Sequence, residues 1–318
     1  MKKSTLGATG IAAGRLGLGC LSMSPMQQGL TAQEGGKLII HALERGVDFI
    51  DTAQYYQAYS HISYAVKAGF RDFVYCTKSY AYDRSGAENA LREALESTGR
   101  EYVDIFLLHE TESAHTIRGH SEALGYYIDM KRKGYIKAVG VSTHYARAAR
   151  SAALTEGIEV VEAVANVDGL GIADASLEEM EGALRLCRQC GRGVVAIKAI
   201  GGGNLYRRAA ECLAYARSLS EADIICIGMS STAEIDANAS YFEGSGEVVF
   251  EDLPHNPKSL HIEDWCIGCG ACVKRCASRA LSIVNGKASC NRARCLVCGY
   301  CSQACPEMAL KIFSDRGV

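Results

Sequence analysis

Charge of one sign is missing from this chain of 318 residues: 34 Lys and Arg face 36 Asp and Glu, for a net charge of −2. So even a balance leaves no footprint for nucleic acid or an anionic membrane surface. Long apolar runs are also missing. No stretch approaches ~18 consecutive apolar residues, and the opening "MKKSTLGATG" holds no apolar signal core. The expectation is a soluble cytoplasmic protein. No G-x-G-x-x-G follows the first apolar run, which argues against a doubly wound dinucleotide fold. A flavin fingerprint is absent too. Proline is scarce, and two of only four prolines fall in "EDLPHNPKSL" (251–260), which reads as a linker.

Cysteine is abundant, and unevenly placed. Nine of the 15 lie between Cys266 and Cys305; the others are Cys20, Cys76, Cys187, Cys190, Cys212 and Cys226. A secreted disulfide scaffold would need an oxidising compartment. Clustered Cys-x-x-Cys in a cytosolic chain points to metal instead. "CRQC" at 187–190 lies in a helical stretch and reads as core or surface. Charge divides at the same place. From Asn256 onward there are nine Lys and Arg against four Asp and Glu; the remainder carries 25 and 32. A thiolate-ligated iron–sulfur cluster is anionic, and a local basic excess would offset it.

Eight apolar runs read as buried strands: 15–20, 47–51, 73–77, 103–108, 138–141, 160–165, 193–198 and 224–227. Helix-length amphipathic stretches separate them, at 32–46, 87–99, 117–134, 175–190 and 209–220, several ending in Gly. Alternating strands and helices imply a parallel sheet. Eight repeats in about 240 residues is the size of a (β/α)8 TIM barrel. The division expected is a barrel over 1–250 and a small α+β module over 251–318.

Barrel chemistry sits where strands run into the following loops. "FIDTAQYY" places Asp51 and Tyr56 there, "CTKS" places Lys78, and "LLHE" places His109. A free tyrosine, with a pKa of about 10, is a poor acid at neutral pH. A neighbouring ammonium stabilises the phenolate, a carboxylate fixes the lysine, and an imidazole can hydrogen-bond a substrate oxygen. Such a set can protonate a carbonyl oxygen while hydride reaches the carbon. Each residue alone would be ordinary loop or core chemistry. The four together at three successive strand ends favour catalysis.

Residues 4–245 resemble the aldo-keto reductases. The likeness rests on "LGATGIAAGRLGLGC", "GVDFIDTAQYY", "YCTKS", "EYVDIFLLHE", "KAVGVSTH" and "IGMSSTAEIDANAS", in the family's order. It implies a (β/α)8 barrel that reduces aldehydes or ketones with NAD or NADP. By that resemblance Tyr56 is the general acid, Lys78 and Asp51 tune it, and His109 orients the carbonyl. Cofactor contacts transfer onto Ser142 and Asn166 near the nicotinamide. Thr143 stands where the family commonly has Asn, and Glu162 where an amide is expected. Lys198 and the triplet holding Gly202 follow the seventh strand, where phosphate would approach. Gly228, Ser230, Ser231, Glu234 and Asn238 follow the eighth, and their segment opens a helix. Gly228 and Glu234 stand where NADP-preferring members often place Lys and Arg, which leans the reading towards NAD.

"CIGCGACVKRC" and "CLVCGYCSQACP" each carry C-x2-C-x2-C-x3-C. Three thiolates of one run can grip one cubane, with the fourth ligand from the other run. This predicts one [4Fe–4S] cluster on Cys266, Cys269, Cys272 and Cys305. A second would use Cys295, Cys298, Cys301 and Cys276. Residues 257–314 resemble the bacterial two-cluster ferredoxins. Pro306 follows the last cysteine as in that family, but Ala277 replaces the first proline. Cys290 reads as a spare thiol. Zinc would normally show separated Cys-x-x-Cys pairs. Trp265, the only tryptophan, could pack the module onto the barrel or line the substrate site.

Two functions remain open at this point. One is an NAD(P)-dependent oxidoreductase acting on a small carbonyl or alcohol, with the module for electron transfer, as a lid or as a dock for a redox protein. The other is a ferredoxin-type electron carrier with the barrel as scaffold.

Overall fold

The eight expected strands hydrogen-bond to one another in chain order and then close on themselves. The computed structural model describes residues 1, 3–244, 250 and 258–314. Barrel strands are β3 (Leu16–Gly19), β4 (Phe49–Asp51), β5 (Val74–Ser79), β6 (Val103–Leu108), β7 (Ile136–Thr143), β8 (Val160–Val164), β9 (Gly193–Ile197) and β10 (Ile224–Gly228). All neighbours are parallel, and β10 pairs with both β9 and β3 to complete the ring. These strands are buried on both faces, so each reads as a continuous apolar run.

Two apolar layers result. Phe49, Cys76, Ile105, Leu107, Val160 and Ile224 pack inside the barrel. A larger layer lies between the strands and the surrounding helices. Those helices are α1 (Ala32–Glu44), α2 (Tyr59–Lys67), α3 (Arg84–Thr98), α4 (Ala114–Gly119), α5 (Ser121–Arg132), α6 (Ala146–Leu154), α7 (Leu177–Gln189), α8 (Ala209–Ser218) and α9 (Thr232–Glu243). Several starts are locally encoded. Thr31 and Glu34 form a reciprocal capping box on α1, and Ser176 and Glu179 repeat it on α7. Cys187 is fully buried within α7 and belongs to the core. No helix among the described residues is long and apolar enough to cross a membrane.

Both ends of the barrel are covered. A hairpin of β1 (Lys3–Thr5) and β2 (Ala12–Gly14) closes the end where the strands begin. Leu6 in its turn is fully buried, and the Gly7 N–H donates to Asp223, the residue before β10. The C-terminal segment covers the opposite end. It runs β11 (Lys258–Ile262), α10 (Ala271–Arg275), β12 (Leu281–Val284), β13 (Lys287–Cys290), α11 (Tyr300–Gln303) and β14 (Leu310–Ser314). β11 pairs antiparallel with β14, and β12 with β13.

Two expectations need correction. Most of the 251–260 linker lies outside the described residues, but its end is no linker: Lys258, Ser259 and Leu260 open β11, with Leu260 buried opposite Ile312. Trp265 does not join the two parts either. Its ring is 53% exposed, its Nε1 donates to the Glu307 carbonyl, and Lys311 sits over it. All three residues belong to the C-terminal segment.

Candidate active site

The four residues expected at the rim converge. Asp51 ends β4, Lys78 lies near the end of β5, and His109 directly follows β6. Tyr56 closes a 3-10 turn (Gln54–Tyr56) after β4. Lys78 Nζ donates to Asp51 Oδ1 at 2.5 Å and lies 5.6 Å from the Tyr56 ring centre. The Tyr56 and His109 rings meet edge to face at 5.7 Å. His109 also stacks on Tyr80 at 4.2 Å. All four are buried.

Sequence reasoning passed over one partner. Glu162, in the middle of β8, is fully buried and meets Lys78 Nζ at 2.9 Å. It was visible only as a carboxylate where an amide was expected. A lone acid inside an apolar strand requires a partner, and the lysine supplies it. The ammonium is thus flanked by two carboxyl groups. Burial opposes its charge most strongly, but Asp51 and then Glu162 more than offset this and hold its pKa well above the ordinary value. Burial pushes Glu162 up out of the usual carboxylate range, and Asp51 adds to the push. Tyr56 is raised as well. Burial is the main cause; Lys78 pulls down, while Asp51 and Glu162 push up again. The expected acidifying effect of Lys78 is therefore present but outweighed. Burial first, then Lys78, keeps His109 well below its ordinary pKa and hence neutral.

The residues expected to hold a nicotinamide cofactor are largely spent within the protein. The Ser142 hydroxyl accepts from the Glu110 N–H at 2.9 Å. Asn166 is fully buried; its amide donates to the Leu170 carbonyl and accepts from the Leu170 N–H, both at 2.8 Å. Glu234 accepts from the Ser230 N–H at 2.5 Å and from its hydroxyl at 3.2 Å. It is turned into the start of its own helix, where Ser231 is the N-cap, and not towards a ribose. Asn238 donates to the Glu234 carbonyl within α9. Gly228 is exposed at the end of β10. Lys198, just past β9, has a left-handed backbone (φ 63°). Gly202 is covered: a Cβ there would meet the Leu296 carbonyl oxygen at 2.5 Å. In this arrangement Gly202 is covered, and the Ser142, Asn166, Glu234 and Asn238 side chains are engaged within the barrel.

The covering group is the second cysteine run. Tyr300, at the start of α11, reaches down into the barrel mouth. Its hydroxyl lies 3.4 Å from His109 Nε2, and its ring lies 6.3 Å from that of Tyr56. Arg275, at the end of α10, pairs with Glu110 at 3.3 Å and lies over the rings of Tyr80, Tyr55 and Tyr300 at 4.3, 4.6 and 4.9 Å. Nothing in the local sequence around Tyr300 or Arg275 marks them as barrel contacts.

The cysteines fall into two groups. Cys266, Cys269, Cys272 and Cys305 line one cavity, and Cys276, Cys295, Cys298 and Cys301 line another. Each cavity thus takes three cysteines from one run and one from the other. Backbone N–H groups point at the sulfurs: Ala288 to Cys266 (3.4 Å), Ala280 to Cys276 (3.2 Å), Val297 to Cys295 (3.4 Å) and Ala309 to Cys305 (3.3 Å). The Ala288 and then the Gly268 N–H hold the Cys266 thiol below its ordinary pKa, whereas burial raises Cys272, Cys295, Cys298 and Cys301. Cys290 ends β13, beside Cys295, and does not line either cavity.

Comparison with known proteins bears on the barrel. The model of the "Aldo/keto reductase family" matches residues 15–211. An aldo-keto reductase of Mycolicibacterium paratuberculosis is 28% identical over 132 residues, 40% of this chain and 43% of that protein. A probable aldo-keto reductase of Glycine max is 27% identical over 222 residues, 62% of this chain and 59% of that one. The chain thus spans less than two thirds of these relatives. A solved aldo-keto reductase from Bacillus halodurans, in its holo form, superposes with a TM-score of 0.62 at 19% identity, over 79% of this chain and 94% of that one. A Pseudomonas aeruginosa structure titled "putative aldo-keto reductase" gives 0.64 at 18%, over 76% of this chain and 95% of that one. At such identities the structures speak for the fold alone. The family model, covering more than half of the chain, says more: the chain belongs to the aldo/keto reductase family.

Proposed function

We propose that the barrel mouth is the site of an oxidoreductase that interconverts a small aldehyde or ketone and its alcohol, with NAD or NADP as co-substrate. The observation that carries this reading is the buried Lys78–Asp51 pair set beside Tyr56, with His109 opposite. Tyr56 holds the proton on its phenolic oxygen. Because burial raises its pKa, the phenol stays protonated through neutral pH and releases its proton only to a strongly basic oxygen. The oxygen of a carbonyl undergoing reduction becomes one. Lys78 offsets the negative charge that then develops on Tyr56. Asp51 holds the lysine in place. His109, neutral, can hydrogen-bond the same substrate oxygen in place of the Tyr300 hydroxyl.

The cysteine cavities support a second element: a [4Fe–4S] cluster on Cys266, Cys269, Cys272 and Cys305, and another on Cys276, Cys295, Cys298 and Cys301. Thiolate donors in fours with N–H groups aimed at the sulfurs are the donor set such clusters take. Bound there, the clusters would supply one-electron transfer. Cys269 is exposed while Cys298 lies towards the barrel, so the first site faces solvent and the second faces the mouth. The solvent-facing site suits a redox-protein partner. On this reading the units divide near residue 250 into 1–250 and 251–318. Free thiols in this number also suit a reducing cytoplasm.

A second reading retains some support, because Tyr300 and the covered glycine loop fill the mouth: an electron carrier with the barrel as scaffold. One experiment separates the two. The chain is purified without oxygen, and NAD(P)H-dependent reduction of a panel of aldehydes and ketones is compared with that of Tyr56→Phe. The enzyme reading expects a loss of about a hundredfold or more in kcat/KM. Equal turnover in the variant would remove Tyr56 from the chemistry, and no turnover in either would favour the carrier.

A further inference from the structure

Tyr300 belongs to the C-terminal segment, yet the barrel buries it. It is 4% exposed. Its ring meets Tyr55 at 5.2 Å, His109 at 6.2 Å and Tyr56 at 6.3 Å. Its hydroxyl lies 3.4 Å from His109 Nε2. A hydroxyl at the His109 imidazole, on a ring beside Tyr56, fills the space a substrate carbonyl oxygen has to enter for proton transfer. The protein supplies this oxygen itself.

The same loop covers the rest of the mouth. The Leu296 carbonyl sits over Gly202, Asn204 Nδ2 donates to the Cys295 carbonyl at 2.9 Å, and the Leu296 side chain lies against Gly171. Gly299 permits the approach. Its φ is +86°, and a Cβ would meet the Met26 carbonyl oxygen at 2.7 Å. Arg275 fastens the loop from the side, between Glu110 and three tyrosine rings.

We propose that Tyr300 is a plug that occupies the substrate-oxygen position, and that carbonyl substrate and dinucleotide enter only when the C-terminal segment lifts and Arg275 leaves its Glu110–tyrosine clasp. This rests on the carbonyl-reductase reading of the same site. It also accounts for the covered glycine loop: in the closed state the Leu296 carbonyl sits over Gly202. Substrate competes with an internal ligand, so its apparent affinity is reduced by the fraction of molecules that are open.

The test uses the full chain, loaded with iron and handled without oxygen, as wild type, Tyr300→Ala, Tyr300→Phe and Glu110→Gln. Glu110 lies on the barrel side and leaves every cysteine untouched. The first readout is binding of 4-methylphenol, the side chain that Tyr300→Ala removes, followed by calorimetry and thermal shift. Tyr300→Ala is expected to bind it and wild type is not. The second is the KM–kcat split for aldehydes, together with direct NADH binding. Tyr300→Ala and Glu110→Gln are expected to lower KM and the NADH dissociation constant by about tenfold, with kcat nearly unchanged. Tyr300→Phe keeps the ring and loses the hydroxyl, and is expected to fall between.

A Tyr300→Ala chain that keeps its iron yet binds no 4-methylphenol would overturn the plug. So would Glu110→Gln and Tyr300→Phe chains whose KM and NADH affinity equal those of wild type. If Tyr300→Ala loses its iron, these two variants decide alone. If no chain reduces any carbonyl, the reductase reading fails, while 4-methylphenol and NADH binding still report on the plug.

Discussion

Glu162 Oε1 lies 2.9 Å from Lys78 Nζ, so the lysine beside the candidate acid answers to two acidic side chains and not one. This second acid works against the tyrosine: its charge raises the Tyr56 pKa, as that of Asp51 does. Glu162→Gln removes the charge and leaves a hydrogen-bonding group. The alkaline limb of the pH–rate profile should then move to lower pH. A limb that stays in place would show that Glu162 does not reach Tyr56 electrostatically.

The same variant should change how stability depends on pH. Burial raises the Glu162 pKa in the folded chain. The folded state therefore holds a proton that the unfolded state, with its ordinary carboxyl, has already released. Stability contributed by this group is present below the unfolded value, about 4.3, and is lost as pH rises through the folded one, by at most about 1.4 kcal/mol per pH unit. Denaturant midpoints of wild type and Glu162→Gln at pH 5.5 and 8.5 check this. The variant should gain on wild type at the higher pH.

Removing the lysine should be far more costly. Lys78→Met leaves Asp51 and Glu162 facing each other inside the barrel with no cation. Breaking a buried ion pair from one side costs about 3–5 kcal/mol. Adding Glu162→Gln should recover part of the loss, because one of the two uncompensated acids is gone. If the double variant is no more stable than Lys78→Met alone, the carboxylates are not coupled through this lysine.

The barrel was legible because its strands are buried on both faces, which turns each into an apolar run of recognisable length. The quartet was legible because strand ends are the rim, and four polar groups stood at three of them. Glu162 left a trace, a charged residue inside "VVEAVA", but only the fold shows which cation answers it. Tyr300 and Arg275 left none. In "CGYC" and "KRC" they read as spacers between ligands, and their roles arise only from how the C-terminal segment meets the mouth. Asn166 and Glu234 were legible as polar groups near the rim, but their local partners were not. Their side chains close local loops and caps, a use that spacing cannot distinguish from holding a cofactor.

Acid should weaken the protein through its buried histidines. His61, His109 and His144 all have lowered pKa values, each chiefly from burial. The unfolded chain takes up protons near the ordinary value of about 6.5, and the folded chain does not. Stability from these groups is fully present above that value and is lost as pH falls below it, opposite in sign to Glu162. His144, whose Nδ1 faces the Gly171 carbonyl at 2.9 Å, offers the test. His144→Gln should flatten the fall in denaturant midpoint between pH 7 and 5. An equally steep fall would assign the acid sensitivity to other groups.

Pairs of cysteine variants can separate position in the chain from position in space. Cys272 and Cys276 are four residues apart but line different cavities; Cys276 and Cys298 are distant in sequence and line the same one. If each cavity holds one cubane, Cys276→Ser with Cys298→Ser disables a single site, and the chain should retain about four irons. Cys272→Ser with Cys276→Ser disables both sites and should retain almost none. Iron and acid-labile sulfide measured on chains purified without oxygen give the answer. If instead each run holds its own cluster, the outcomes exchange. Cys272→Ser with Cys276→Ser would then keep about four irons and Cys276→Ser with Cys298→Ser would keep none, which would break the interlocked assignment.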